Sequence, residues 1–216
     1  MALALHFLRP DDLMGDIGAN IGALSVAVAG VARARVIAME PVPSTYQALL
    51  DNIAINRLQD RVQAYAMGAG ETEAVLTFST SQGGNDRIVT NGTGQAIQVR
   101  PIDQVFTEAP DMLVLDVEGF EPAVIKGAAR LLIDPRLKIV IIETLGLAAD
   151  YGLDDKLMHQ SMLQYGFRTY HYDAFERLLR PTDGMDPVNT VYVRDLAYVE
   201  QRLKDAPSFQ VDNYVF

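Results

Sequence analysis

Residues 14–22 have the sequence Met-Gly-Asp-Ile-Gly-Ala-Asn-Ile-Gly, and this stretch decides the fold. Its apolar beginning predicts the end of a short buried strand. Gly18 permits backbone angles that a side chain would forbid, and it is expected to leave room for a ligand. Apolar residues then recur at helical spacing, so the turn is predicted to lead into a helix that stops near Gly30.

A strand that enters a helix through such a turn is expected to direct free backbone N–H groups towards one point. Such a point binds the polar or anionic end of a ligand. A dinucleotide fingerprint needs the spacing Gly-x-Gly-x-x-Gly. The order here is Asp16-x-Gly18-x-Asn20-x-Gly22, which lacks that spacing. The stretch therefore predicts a ligand site and argues against a dinucleotide as the ligand.

Composition limits the kind of protein this can be. The 216 residues suit a single domain, 1–216, in which the poorly periodic residues 205–216 are expected to form a surface tail. The net charge of −10 argues against a nucleic-acid partner, because phosphate neutralisation needs Lys and Arg. The sequence has no cysteine, which fits a reducing cytoplasm. No apolar run predicts a membrane span, and residues 1–8 make a poor signal peptide.

Four predicted strands end in an acidic residue, and these are Asp16, Glu40, Asp116 and Glu143. Parallel strands bind ligands outside their carboxyl ends, so the four acids are expected to lie at one rim of a sheet. Buried carboxylates need partners, and a cationic ligand with ribose hydroxyls and an amino group would supply them. Glu40, at the end of the second strand, is well placed to accept hydrogen bonds from both ribose hydroxyls. Further strands are predicted at 74–80 and 95–100, with loop residues between them at 82–86 and 91–94.

Three blocks of sequence resemble the FkbM family of methyltransferases, which use S-adenosylmethionine (SAM) and have the class I methyltransferase fold. The first block is Asp-Ile-Gly-Ala-Asn-Ile-Gly at 16–22, and the second is Glu-Pro at 40–41 followed by a helix. The third is Asp-Val-Glu-Gly-Phe-Glu at 116–121, followed by Lys-Gly-Ala at 126–128. The resemblance covers roughly residues 8–193.

The resemblance implies one doubly wound, Rossmann-like α/β domain with a mostly parallel seven-stranded sheet whose last strand is antiparallel. It implies a SAM-dependent methyltransferase, acting on a hydroxyl oxygen of a sugar, glycolipid or natural-product acceptor. The partner expected is therefore a small molecule or a glycan. The residues expected to bind SAM are Asp16, Gly18, Ala19, Asn20, Gly22, Glu40, Met67 and Asp116.

Methyl transfer from SAM mainly requires that acceptor, methyl carbon and sulfur are held in line. An alcohol acceptor also has to lose its proton, so a general base is useful. Asp116, Glu118 and Glu143 are the catalytic candidates by position, and His171 is a minor one. No metal is assigned, although Asp116 and Glu143 could ligate magnesium or calcium through oxygen, by analogy with catechol-type methyltransferases.

Two alternatives stay open at this point. One is an NAD-binding oxidoreductase on a related fold, against which the glycine spacing counts. The other is a non-catalytic SAM-binding protein, since Val114 stands where relatives often have Lys and the segment before the first motif is short.

Overall fold

The computed structural model describes residues 1–78, 94–208, 210–211 and 214–215 of the chain. The predicted loop at 82–86 lies outside these residues, as do most of the predicted loop at 91–94 and the end of the predicted strand at 74–80.

Strands and helices alternate along most of the described chain. The strands are β1 Leu13–Ile17, β2 Arg35–Met39, β3 Val62–Tyr65, β4 Gly68–Ala69, β5 Ala74–Phe78, β6 Gln95–Arg100, β7 Met112–Leu115, β8 Ile139–Glu143, β9 Arg168–Asp173, β10 Leu178–Pro181, β11 Asn189–Val193, β12 Gln210–Val211 and β13 Tyr214–Val215. The α-helices are α1 Ala2–Phe7, α2 Ala23–Ala27, α3 Pro43–Ile55, α4 Ile102–Val105, α5 Glu121–Lys126, α6 Ala129–Ile133, α7 Asp155–Gln164 and α8 Leu196–Lys204. A π-helical turn, Val28–Ala32, continues α2, and a 3-10 helix spans Leu147–Tyr151.

The main sheet has eight strands in the order β10-β9-β11-β8-β7-β1-β2-β3. The five strands from β8 to β3 are parallel, and β11 is antiparallel to both of its neighbours, β8 and β9. This is the predicted doubly wound, mostly parallel α/β sheet with a reversed last strand. The strand order turns back on itself at β1, which lies between β2 and β7, so the ligand-binding position of such a sheet falls at the end of β1.

The eighth strand is an addition to the seven that were expected. Residues Leu178–Pro181 form an antiparallel hairpin with β9 at the sheet edge, where Leu179 is buried. The sequence of this strand ends in Arg-Pro and continues into Thr-Asp-Gly, which is typical of a turn. Proline is tolerated here because the strand lies at an edge.

Helices cover both faces of the sheet. One apolar core joins α1, α2, α3 and α8 to the face that carries Met14, Val36 and Ile139. A second core joins helices α4, α5, α6 and α7 to the opposite face, which carries Ile17 and Val140. Because both faces of the central strands are buried, those strands consist of continuous apolar runs.

Two smaller sheets lie beside the main one. Strands β4, β6 and β5 form a three-stranded sheet, and β12 and β13 form a hairpin within the predicted tail. The helix that was predicted to stop near Gly30 also runs further, since the π-helical turn after α2 passes Gly30 and ends at Ala32. In the described part of the chain, every helix is too short or too polar to span a membrane.

Residues near the two ends of the described chain are joined by arginine contacts. Arg202 of α8 donates hydrogen bonds to the backbone carbonyl of Phe7 and to the carboxylate of Asp12. Its guanidinium lies 4.9 Å from the centre of the Phe7 ring. In return, Arg9 donates to the backbone carbonyl of Arg202. These contacts, the α1–α8 clasp, close the sheet face that carries the first core.

Candidate active site

The turn after β1 is built around two glycines with positive φ angles. Gly18 has φ +86°, and a Cβ atom at this position would lie 1.7 Å from the backbone oxygen of Asp116. Gly22 has φ +85°, and a Cβ atom there would lie 2.4 Å from Leu49 Cδ1. The space left by the absent Gly18 side chain is therefore filled by the end of β7, which is how β1 and β7 meet at the rim.

The expectation that this turn presents free N–H groups to a ligand is wrong. The N–H groups of Gly18 and Ala19 both donate to the Met39 carbonyl, at 2.9 and 3.0 Å. That of Asn20 donates to Glu40 Oε2 at 3.0 Å, and that of Ile21 to the Asn20 side chain at 2.7 Å. The first three of these N–H groups thus bind the end of β2 and the residue after it, Glu40.

Glu40 is the residue that links the turn to the cleft. It is buried, with 6% of its surface exposed, and it follows β2 directly. Its two carboxylate oxygens accept hydrogen bonds from the backbone N–H groups of Asn20 and Val42, at 3.0 and 2.9 Å. Each oxygen has further acceptor capacity, so a carboxylate held in this way can also receive ligand hydroxyls.

Asp16 lies behind the turn. It is buried, and its carboxylate accepts a 2.6 Å hydrogen bond from the hydroxyl of Ser25 on α2. The pKa of Asp16 is raised to about 6, chiefly by burial and also by the nearby Asp116 charge, while the hydrogen bond from Ser25 opposes the rise. Asp16 therefore joins α2 to the sheet at this position.

An open cleft lies at the carboxyl ends of the central strands. It encloses about 920 Å³, including the space that is open to solvent at its mouth. Five of the eight residues predicted to bind the cofactor line it, namely Gly18, Asn20, Glu40, Met67 and Asp116. Asp16, Ala19 and Gly22 do not line it, since Asp16 and Ala19 are buried behind the turn and Gly22 packs against Leu49.

All three predicted catalytic residues, Asp116, Glu118 and Glu143, line the cleft. One carboxylate oxygen from each lies within 4.8 Å of the other two. Asp116 directly follows β7, and Glu143 is the last residue of the adjacent strand β8. Their carboxyl groups are hydrogen-bonded to each other. Two carboxyl groups that bond in this way share one proton, as two like charges at such a distance do not both ionise readily.

The pKa values of this pair are displaced upward. The pKa of Glu143 is raised to about 7, chiefly by burial and further by the charges of Asp116, Glu118 and Glu121. The pKa of Asp116 is also raised by burial, while its hydrogen bond with Glu143 opposes the rise. Asp116 is exposed to solvent in the cleft. At neutral pH the pair therefore lies near the midpoint of losing its shared proton.

A tight turn after β7 positions Glu118. Glu118 and Gly119 have positive φ angles of 54° and 95°. Glu121 Oε1 accepts hydrogen bonds from the N–H groups of Val117 and Gly119, at 3.0 and 3.2 Å. Glu121 is buried and so serves to hold this turn, which agrees with its position beside Pro122 at the start of α5.

The same three carboxylates are close enough to ligate one divalent cation. Magnesium and calcium take oxygen ligands, and Asp116, Glu118 and Glu143 offer one oxygen each. The arrangement does not require an ion, because Asp116 and Glu143 are already hydrogen-bonded to each other.

Several cleft residues were not predicted from the sequence. Phe120 lines the cleft and packs edge to face on Tyr151, with ring centres 5.7 Å apart. Val99 reaches the cleft from β6 in the three-stranded sheet. Phe120 belongs to the third sequence block, which was a signal for it, but the sequence around Val99 contains none. His171 does not line the cleft and lies in a separate groove beside β9.

The fold and the cleft together define a class of protein. It is a doubly wound α/β protein with a ligand cleft at the switch in strand order, where the rim is acidic. The chain belongs to the FkbM methyltransferase family, because the model of the methyltransferase FkbM domain matches residues 16–169.

Known proteins share parts of this sequence and fold. The chain is 28% identical to hexuronic acid methyltransferase AglP of Haloferax volcanii over 148 residues, which are 65% of this chain and 59% of that protein. It is 44% identical over 59 residues to a tRNA(Phe) (4-demethylwyosine(37)-C(7)) aminocarboxypropyltransferase of Pyrococcus horikoshii, 27% of this chain and 21% of that protein.

Among solved structures, the crystal structure of methyltransferase FkbM from Methylobacillus flagellatus superposes with a TM-score of 0.61 and 22% identity. That match covers 89% of this chain and 47% of the other, and it shows a shared fold. The chain thus spans less than two thirds of the length of each of these three proteins.

Proposed function

We propose that this chain, as a single domain over residues 1–216, is a SAM-dependent methyltransferase that acts on a hydroxyl oxygen. The observation that carries the proposal is the placement of Glu40 and the Asp116–Glu143 pair along one cleft at the switch point of the sheet. Membership of the FkbM methyltransferase family supports the transferred group.

The cleft residues fit SAM. Glu40 would accept hydrogen bonds from the ribose hydroxyls, since its carboxylate is fixed by two backbone donors and lines the cleft. Met67 and Gly68 would provide a wall for the adenine.

When bound, SAM supplies a methyl group on a positively charged sulfonium. The protein's own contribution is to orient the acceptor and to remove its proton. The Asp116–Glu143 pair loses its shared proton around neutral pH, so one of its carboxylates becomes free to accept a hydrogen bond from the acceptor hydroxyl. That carboxylate would take the hydroxyl proton when the methyl group passes from the sulfonium sulfur to the hydroxyl oxygen.

One relative and the chemistry of the rim support the acceptor class. AglP is named a hexuronic acid methyltransferase, which supports a carbohydrate as the acceptor. A sugar, a glycolipid or a hydroxylated natural product would each present such a group to the Asp116–Glu143 pair.

Titration calorimetry with SAM, S-adenosylhomocysteine and NAD tests the proposal. We expect SAM and S-adenosylhomocysteine to bind, with affinities in the micromolar range of about −8 kcal/mol, and NAD not to bind. Glu200→Gln serves as a control variant, because it removes one acidic residue outside the cleft and should leave SAM binding unchanged. Glu200 lies on α8, which packs against α1 and β10. Binding of NAD without either SAM compound would contradict the proposal.

A further inference from the structure

The charged residues that the structure describes in the lining of the cleft are all acidic. Its charged residues, among those that the structure describes, are Glu40, Asp116, Glu118 and Glu143, and no Lys, Arg or His lines it. Glu40 faces the proposed ribose position. The other three carboxylates gather at the ends of β7 and β8, where the acceptor hydroxyl would be deprotonated.

The negative surface continues beyond Glu143. Asn189 is the ladder partner of Glu143 on the adjacent strand β11, and it lines a second groove. Among the described residues, this groove is lined by the carboxylates Asp183 and Asp186 and by the titratable side chains of His171, Tyr170 and Tyr172, without Lys or Arg. An acceptor that extends from Glu143 along β11 therefore meets further carboxylates.

Glu118 is the carboxylate in this region whose charge is least compensated. Asp116 and Glu143 are hydrogen-bonded to each other, and Glu40 accepts two backbone donors. For Glu118, the described residues provide neither a hydrogen bond nor an ion pair. Its backbone is fixed in a positive-φ turn that Glu121 holds, so the side chain has a defined origin at the cleft wall.

An anionic group beside the reacting hydroxyl would add one more negative charge to this set. Like charges brought together at a partly desolvated interface oppose binding strongly. A neutral acceptor avoids this opposition, and its hydroxyls can donate hydrogen bonds to the carboxylates.

We propose that the acceptor is a neutral sugar with no carboxylate, phosphate or sulfate beside the reacting hydroxyl, and that Glu118 enforces this choice. The inference rests on the proposed function, and it separates this chain from AglP, which is named for a hexuronic acid. Glu118 acts here as a specificity-determining residue of the acceptor side.

Matched sugar probes test the inference. The probes are p-nitrophenyl β-D-glucoside, p-nitrophenyl β-D-glucuronide and the methyl ester of that glucuronide, together with the galactose counterparts of all three. At pH 8 and saturating SAM, kcat/KM for methylated product is measured by mass spectrometry. The methyl ester has nearly the size of the glucuronide without its charge, so it separates charge from shape.

In the wild type we expect kcat/KM for the glucoside and the ester to exceed that for the glucuronide by at least about tenfold. Glu118→Gln should lower this ratio at least about threefold, because it removes one of the carboxylates that repel the glucuronide. Glu118→Lys should lower the ratio further, because the lysine also attracts the glucuronide carboxylate. Glu200→Gln, with the same loss of charge on α8, should leave the ratio unchanged.

Three results would overturn the inference. The first is a kcat/KM for the glucuronide equal to that for its glucoside. The second is a Glu118→Gln variant that loses kcat/KM equally on all probes, so that the ratio between glucoside and glucuronide is unchanged. The third is no methylation of any probe while S-adenosylhomocysteine still binds, which rejects a neutral sugar acceptor and leaves the cofactor proposal in place. A failure of SAM and S-adenosylhomocysteine to bind is instead the failure of the proposed function.

Discussion

The carboxyl groups of Asp116 and Glu143 are hydrogen-bonded to each other across the ends of two adjacent parallel strands. Leu115 and Ile142 are partners in the β7–β8 ladder, so the next residue of each strand falls at the same level of the rim. Their pairing is thus fixed by the sheet register, and the two acids titrate as a unit.

The pH dependence of the wild-type enzyme should report this unit. Because the pKa of Glu143 is raised to about 7, the pair loses its remaining proton around neutral pH. We expect the rate of the chemical step to rise with pH through this region and then to level off. Single-turnover rates between pH 5 and 9 measure it, and a rate that is flat across this range would show that the pair is not the base.

Asp116→Asn keeps the shape of the side chain and removes its basicity. If Asp116 takes the acceptor proton, the chemical step should slow by about 10²–10⁴-fold while SAM affinity changes little. Single-turnover kinetics measure the rate of the chemical step, and titration calorimetry measures the SAM affinity. If the three carboxylates instead hold a cation, the wild type itself should lose activity in EDTA and regain it with magnesium. Near-normal turnover of the variant would exclude both roles.

Glu143→Gln should raise the thermal stability of the protein above neutral pH. A carboxyl group whose pKa is higher in the folded protein stabilises the fold while it is protonated. That stabilisation is lost as pH rises from its ordinary value of 4.5 through about 7. The side chain is partly exposed, so after solvent screening we expect about 1 kcal/mol, or about 2–4 °C in Tm, at pH 8.

Calorimetric scans at pH 5 and pH 8 provide the comparison for Glu143→Gln. The gain in Tm should shrink at pH 5, where the wild-type residue is largely protonated in the folded protein. A gain of equal size at both pH values would mean that the charge of Glu143 is not its cause.

Glu40→Ala should weaken SAM binding at least about tenfold, because two charge-assisted hydrogen bonds to the ribose are lost, each worth roughly 1.5–3 kcal/mol. The structure adds a second effect, since the Asn20 and Val42 N–H groups also lose their acceptor. A fall in Tm should therefore accompany the loss of affinity. Glu73→Ala, an exposed acid paired with Arg100, is the control, and unchanged SAM affinity in Glu40→Ala would make Glu40 a purely structural residue.

Gly18→Ala tests the close approach of β1 and β7. The added methyl would lie 1.7 Å from the Asp116 carbonyl oxygen, at a φ angle of +86°. We expect a loss of at least about 2 kcal/mol in unfolding free energy, since the left-handed backbone alone costs about 1–2 kcal/mol. In Gly30→Ala the methyl meets no atom closer than 4.0 Å, so stability should change by less than about 1 kcal/mol. Urea unfolding of both variants measures the difference.

The sequence predicted the central strands well because they are buried on both faces. The strand Ile139–Glu143 ends in Glu143 as expected, and this acid lies at the rim. The edge strand at Leu178–Pro181 was missed, as an edge strand with one buried side chain lacks an apolar run. Helix α1 was missed as well, since six residues are too short to show a helical period.

The site was predictable where function depends on strand ends and not where it depends on tertiary packing. Glu40, Asp116 and Glu143 were identified because an acid after an apolar run needs a partner. The N–H groups after Gly18 were assigned to a ligand, yet they bind Met39 and Glu40, a pairing between β1 and β2 that no local pattern shows. Val99 enters the cleft only because the three-stranded sheet packs there.

The α1–α8 clasp makes helix α1 dependent on a helix that is synthesised much later. Phe7 and Arg202 are 195 positions apart, so this contact closes one of the longest loops in the fold. Contacts of such separation form late, since their loop-closure entropy must be overcome before they stabilise anything. During translation, the part of α1 that packs on α8 therefore stays uncovered until α8 leaves the ribosome, and in that interval this apolar surface is open to aggregation and to chaperone binding.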